Sequence, residues 1–184
     1  MKAPWRLEAG RAQLLVVDIQ ERLLPHIHEY TRVVEQTARM CRAAAQLALP
    51  VTLTEQYPEG LGATTPAVRE VTSDATRLEK LTFSVWQDAA LREHLTDLDR
   101  PQVLIAGIET HVCVQQTVFD LLDAQMTPFV LADAVGSRRA LDWETALRRM
   151  ERAGATVTTF EAAVFGMLDR CDTELFKRIL PIVK

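Results

Sequence analysis

Short apolar runs recur along the chain: Gln13–Ile19 (QLLVVDI), Val51–Glu55 (VTLTE), Val103–Ile108 (VLIAGI), Phe129–Ala132 (FVLA, then Asp133) and Ala155–Phe160 (ATVTTF). They read as strands that are apolar on both faces, which suits a parallel sheet buried on both sides. Longer stretches of helical periodicity lie between them. Thr31–Leu49 carries Val34, Thr37, Cys41, Ala44 and Ala48 on one stripe, and Val112–Gln125 carries Val114, Val118, Leu121 and Leu122. Leu141–Ala153 carries Trp143, Leu147 and Met150, and Gly154 follows as a helix stop. Thr173 predicts the cap of a last helix, TELFKRIL, which Pro181 is expected to end.

Strands alternating with helices of this length predict βαβ units with right-handed crossovers, hence an α/β fold with helices on both faces of the sheet. The turn-rich stretch Gln56–Pro66 (QYPEGLGATTP) reads as an active-site loop or an oligomer arm. With no internal repeat, the 184 residues are expected to form a single domain, 1–184.

Composition narrows the function classes. Apolar residues at 48% and charged residues at 25% are the balance of an ordinary globular protein. A net charge of −4 with no Lys/Arg block argues against nucleic acid as a partner. No apolar run is long enough to span a bilayer, so no membrane partner is expected, and the start MKAPWRLEAGRAQ lacks an apolar h-region. Three scattered cysteines without CxxC imply neither a disulfide framework nor a zinc ribbon, and the cytoplasm is the expected compartment.

Ligands of open parallel sheets bind at the carboxyl ends of the strands. The candidates there are Asp18, then Glu55 and Gln56, then Ile108–Glu109, then Asp133. The segment ETHVC after Ile108 places Cys113 in the first turn of a helix, where free N–H groups and the dipole would lower a thiol pKa. The same N–H groups would serve an oxyanion, so Cys113 is a candidate nucleophile; equally, it reads as a small buried hydrophobe. Cys41 lies on an apolar stripe and reads as core, and Cys171 in DRCDT has no evident chemistry. His111 lies two residues from Cys113, so on a helix the two side chains point apart. His26 and His28 lack metal-ligand spacing, and GxGxxG, P-loop and GxSxG patterns are absent, so no metal or cofactor is expected.

The runs LLVVDIQ, LEKLTFSVW and AGIETHVCV, in this order, resemble the signature blocks of the isochorismatase-like cysteine hydrolases, with further echoes in TEQYPEGLG and LADAVGSR. The resemblance runs from about Gln13 to the last helix. It implies a three-layer αβα sandwich around a six-stranded parallel sheet of isochorismatase-like, Rossmann-like topology. It also implies a catalytic triad of Asp18, Lys80 and Cys113, and a cis peptide between Ile108 and Glu109. The Glu109 and Cys113 amides would then form an oxyanion hole.

TEQYPEGLG lacks the histidines of a nicotinamidase metal site, and the cysteine favours cleavage of a C–N, amide-type bond in a small molecule. Vinyl-ether hydrolysis with Asp18 as general acid, or a non-catalytic binding protein, are the alternatives. Gln20, Gln56, Tyr57, Phe83, Trp86 and His111 are candidate substrate-binding walls, and Ser137 and Arg138 read as an anion site or an internal salt bridge. Family members form dimers or larger rings, so a homo-oligomer is expected, with Tyr57–Leu61 and the C-terminal ILPIVK as candidate interface.

Overall fold

The computed structural model describes residues 5–184. Its strands are β1 (Ala12–Val17), β2 (Val51–Gln56), β3 (Thr76–Lys80), β4 (Gln102–Ile108), β5 (Thr127–Gly136) and β6 (Thr156–Thr158). The helices are α1 (Tyr30–Gln46), the one-turn α2 (Pro58–Leu61) and α3 (Pro66–Arg69), and α4 (Ala89–Asp97). After them come α5 (Gln115–Asp123), α6 (Ala140–Ala153), α7 (Phe160–Gly166) and α8 (Glu174–Val183). The strands form one six-stranded sheet in the order β3-β2-β1-β4-β5-β6, and every pairing is parallel.

Alternation within the strands builds two cores. Leu14, Val16, Leu104, Ala106 and Ile108 pack under α1, α7 and α8, while Leu15, Val17, Val103 and Ile105 pack under α4, α5 and α6. A strand puts successive side chains on opposite faces, so a continuous apolar run serves both layers at once. The result is the expected three-layer α/β architecture.

The elements depart from the sequence reading where tertiary contacts outweigh local pattern. β3 (TRLEK) has no apolar run because it is an edge strand with exposed Arg77 and Glu79, and only its pairing with β2 makes it a strand. β5 continues past Asp133 to Gly136, and β6 ends at Thr158, after which the Thr159 hydroxyl caps α7. Pro181 does not end α8, which runs through it to Val183. The last turn survives because Ile179 and Val183 are buried and Arg39 of α1 donates to the carbonyls of Ile182 and Val183. That burial also removes these two residues of the C-terminal segment from the expected oligomer interface.

Candidate active site

The site assembles where β1, β2, β3 and β4 end. Asp18 leaves β1 with φ 52°, a left-handed conformation that Asp tolerates better than most residues and that turns its side chain out of the strand path. Beside it, Gly107 of β4 pairs with Val17 and has φ 123°. A Cβ there would lie 2.0 Å from the Val17 carbonyl oxygen, so only glycine lets the two backbones approach this closely. The next bond but one, Ile108–Glu109, is cis, and the chain then enters a π-helical turn, Thr110–Val114, that carries Cys113 into α5.

Asp18 and Lys80 form a buried ion pair, Nζ to Oδ2 2.6 Å, with side chains 1% and 0% exposed. Every oxygen and proton in this pair has work to do. Thr54 donates its hydroxyl to Asp18 Oδ1 at 2.7 Å, and Lys80 also donates to Gln56 Oε1 at 2.7 Å. The carbonyls of Thr82 and Phe83, both at 3.3 Å, complete the ammonium's surroundings. Buried charges persist only when paired and hydrogen-bonded in this way.

Cys113 is 7% exposed, and its thiol is pushed up to about 12. Burial is the largest cause; the Asp18 charge and its hydrogen bond with the thiol act in the same direction, and Lys80 offsets part of both. The lowered thiol pKa expected from the helix start is therefore not found: desolvation outweighs it, and the resting group is a protonated thiol next to a carboxylate.

Several predicted wall residues have other duties. Gln20 is fully buried and bridges two loops, donating to the carbonyls of Gln56 (3.0 Å) and Gly62 (2.7 Å) and accepting from Gln56 N (2.8 Å), so its amide is not free for a ligand. Gln56 is likewise engaged, accepting from Lys80 and donating to the Leu81 carbonyl at 3.0 Å. Glu55 accepts from the amide and hydroxyl of Thr64, and Asp133 caps the amide of Phe160, so both strand-end carboxylates are engaged within the fold. His111 hydrogen-bonds with Ser137 Oγ at 3.0 Å rather than joining Cys113. Arg138 pairs with Glu109 at 2.8 Å and 3.0 Å, so the Ser137–Arg138 segment is an internal contact, not an anion site.

Tyr57 and Phe83 remain exposed at 49% and 57%, and Trp86 packs partly on the core beneath α4 and α5. Tyr57 lines a hollow of about 400 Å³ with Lys80, Leu81 and Thr82. Sequence reading missed Thr54 and Thr117. The second accepts from Val85 N (2.9 Å) and donates to the Cys113 carbonyl (2.7 Å), tying the Lys80 loop to the cysteine turn. The signal for Thr54 was a hydroxyl inside an otherwise apolar strand, directly in register with Val17.

A family model of the isochorismatase domain matches residues 12–162. The chain belongs to the isochorismatase family. Isochorismatase family protein 1B of Dictyostelium discoideum is 37% identical over 176 residues, covering 93% of this chain and 85% of that one. Human isochorismatase domain-containing protein 2 is 37% identical over 183 residues, covering 97% and 86%. Among solved structures, the MAR1 ribonuclease of Caenorhabditis elegans is similar with a TM-score of 0.91 at 34% identity, covering 97% of this chain and 92% of that one. Family and fold together make this an isochorismatase-family hydrolase fold.

Proposed function

We propose that the chain, acting as one domain, is a cysteine hydrolase that cleaves the C–N bond of a small amide through a thioester on Cys113. The observation that carries this reading is the buried Asp18–Lys80 pair, whose charges act on the buried Cys113 thiol. A scaffold protein has no use for so costly an arrangement.

In the proposed cycle, Asp18 accepts the thiol proton as sulfur attacks the carbonyl carbon, so no free thiolate accumulates. The oxyanion of the tetrahedral intermediate rests on the Glu109 and Cys113 amides. The C–N bond breaks as Asp18 returns the proton to the leaving nitrogen. Water then attacks the thioester, gives its proton to Asp18, and releases the acid and the thiol. Lys80 holds the Asp18 carboxyl in place throughout.

The ribonuclease name of the C. elegans neighbour is a different reading, and the charges here favour the amide. Among the described residues, Lys80 and Arg138 are each paired with a carboxylate, so neither offers a free charge to a phosphodiester backbone. We further propose a cytoplasmic homo-oligomer, in keeping with the free cysteines and with the exposed Leu81 and Phe83 beside the site. Light scattering at micromolar concentration reads the oligomer directly, and a monomeric mass would remove it.

The test of the activity is a panel of small amides, a vinyl ether and an RNA oligonucleotide, with intact-protein mass spectrometry. The expected result is amide turnover with an acyl adduct on Cys113 and none in Cys113→Ala. Turnover retained in Cys113→Ala would instead make Asp18 a general acid, and cleavage of RNA alone would overturn the amide reading.

A further inference from the structure

The proposed oxyanion donors sit on one short turn, and that turn is held from outside by two side-chain contacts to a single neighbouring segment. β5 ends at Gly136, which pairs with Ile108, so Ser137 and Arg138 emerge directly beside Glu109. Arg138 grips the Glu109 carboxylate with two parallel bonds, Nε to Oε2 at 3.0 Å and Nη2 to Oε1 at 2.8 Å. Two residues further along the turn, His111 Nδ1 meets the buried Ser137 hydroxyl at 3.0 Å. Ser137 is itself anchored, its carbonyl accepting from His28 N at 2.9 Å.

Packing does not do this job on the outer side. A hollow of about 250 Å³, lined by Leu23, His26, Ile27, Glu109 and Arg138, lies against the ion pair. Arg138 is 64% exposed in its side chain, whereas Glu109 is nearly enclosed. An exposed arginine on a simple surface pair adds little to folding. A planar fork on a carboxylate does fix orientation, because both N–H bonds must be satisfied together.

We propose that Arg138 is a positioning residue that, through the Glu109 side chain, fixes the Glu109 amide for the tetrahedral oxygen, with His111–Ser137 as the second point of the same clasp. The proposal rests on the nucleophile reading above. Arg138 bonds to the Glu109 carboxylate and not to the thiol, so its consequence is selective. Alkylation of Cys113 by iodoacetamide displaces iodide at an sp3 carbon and creates no oxyanion. Addition of the Cys113 thiol to an aldehyde forms a C–S bond, converts C=O to C–OH, and relies on the same amides that would serve the amide substrate.

The experiment compares wild type, Arg138→Met and Arg138→Lys by two readouts: the iodoacetamide rate at Cys113, and protection of Cys113 from iodoacetamide by propionaldehyde. Arg138→Met is expected to alkylate within about twofold of wild type, yet need at least about tenfold more aldehyde for half-protection. Arg138→Lys, which keeps the charge but loses the fork, should fall between. Unchanged aldehyde protection in both variants overturns the clasp, and so does a fall in both readouts by the same factor, which would mean general loosening. A wild-type Cys113 that neither alkylates nor takes up aldehyde overturns the nucleophile reading itself, and the clasp with it.

Discussion

Replacing Lys80 by methionine keeps most of the aliphatic stem and removes the ammonium. In the wild type that ammonium donates to Asp18 at 2.6 Å and to Gln56 at 2.7 Å, with both charged side chains at most 1% exposed. The variant leaves the Asp18 carboxylate buried beside the Thr54 hydroxyl with its cation gone. Stranding one partner of a buried pair costs about 3–5 kcal/mol. For a domain of this size each kcal/mol lowers the melting temperature by about 2–4 °C, so Lys80→Met should melt about 6–20 °C lower.

Adding Asp18→Asn neutralises the stranded charge and leaves an amide oxygen for Thr54, so the double variant should be down by only about 1–3 kcal/mol. The two single variants and the double form a cycle whose coupling is expected at about 2 kcal/mol or more. Urea unfolding at pH 7, followed by circular dichroism, reads all four proteins on one scale. A Lys80→Met cost under about 1 kcal/mol, or a double variant as unstable as the sum of the singles, would refute the argument that this pair is dry and mutually dependent.

Two further outcomes follow from neighbouring features. Gly107→Ala forces a Cβ to within 2.0 Å of the Val17 carbonyl oxygen at φ 123°, where backbone cannot yield cheaply, and should cost more than about 3 kcal/mol or abolish soluble expression; a melting temperature near wild type would refute it. Cys41 and Cys113 are both held up at about 12, so the fold keeps protons that the unfolded chain releases near its ordinary thiol pKa of about 8.5. Their contribution is fully present below that pH and is lost as pH rises toward 12, by roughly 1 kcal/mol per pH unit for each thiol. Urea midpoints between pH 8 and 10 should therefore fall more steeply in wild type than in Cys41→Ala/Cys113→Ala, and equal slopes would count against it.

Much of this protein was already legible in its amino-acid order. Runs such as QLLVVDI and VLIAGI are apolar at consecutive positions, and only a strand covered on both faces buries all of them, so the parallel sheet and its helical layers followed from local pattern. Asp18 was a candidate because strand ends are where such folds place ligands, Cys113 because it starts the helix after one, and Lys80 only because its flanking motif resembles a known family. β3 and α4 carried little signal of their own, since an edge strand alternates polar residues and a half-exposed helix has a narrow apolar stripe.

Tertiary structure decided the rest, because it depends on which groups distant segments bring into contact. Gln20 and Gln56 looked like substrate contacts by position, yet folding spends their amides on loop carbonyls and on Lys80. The thiol's protonation followed burial and the Asp18 charge, neither of which a helix-start argument contains. The Glu109–Arg138 grip joins residues 29 positions apart. Periodicity reports which face of an element is buried; which polar atom meets which is settled only when the strand ends converge.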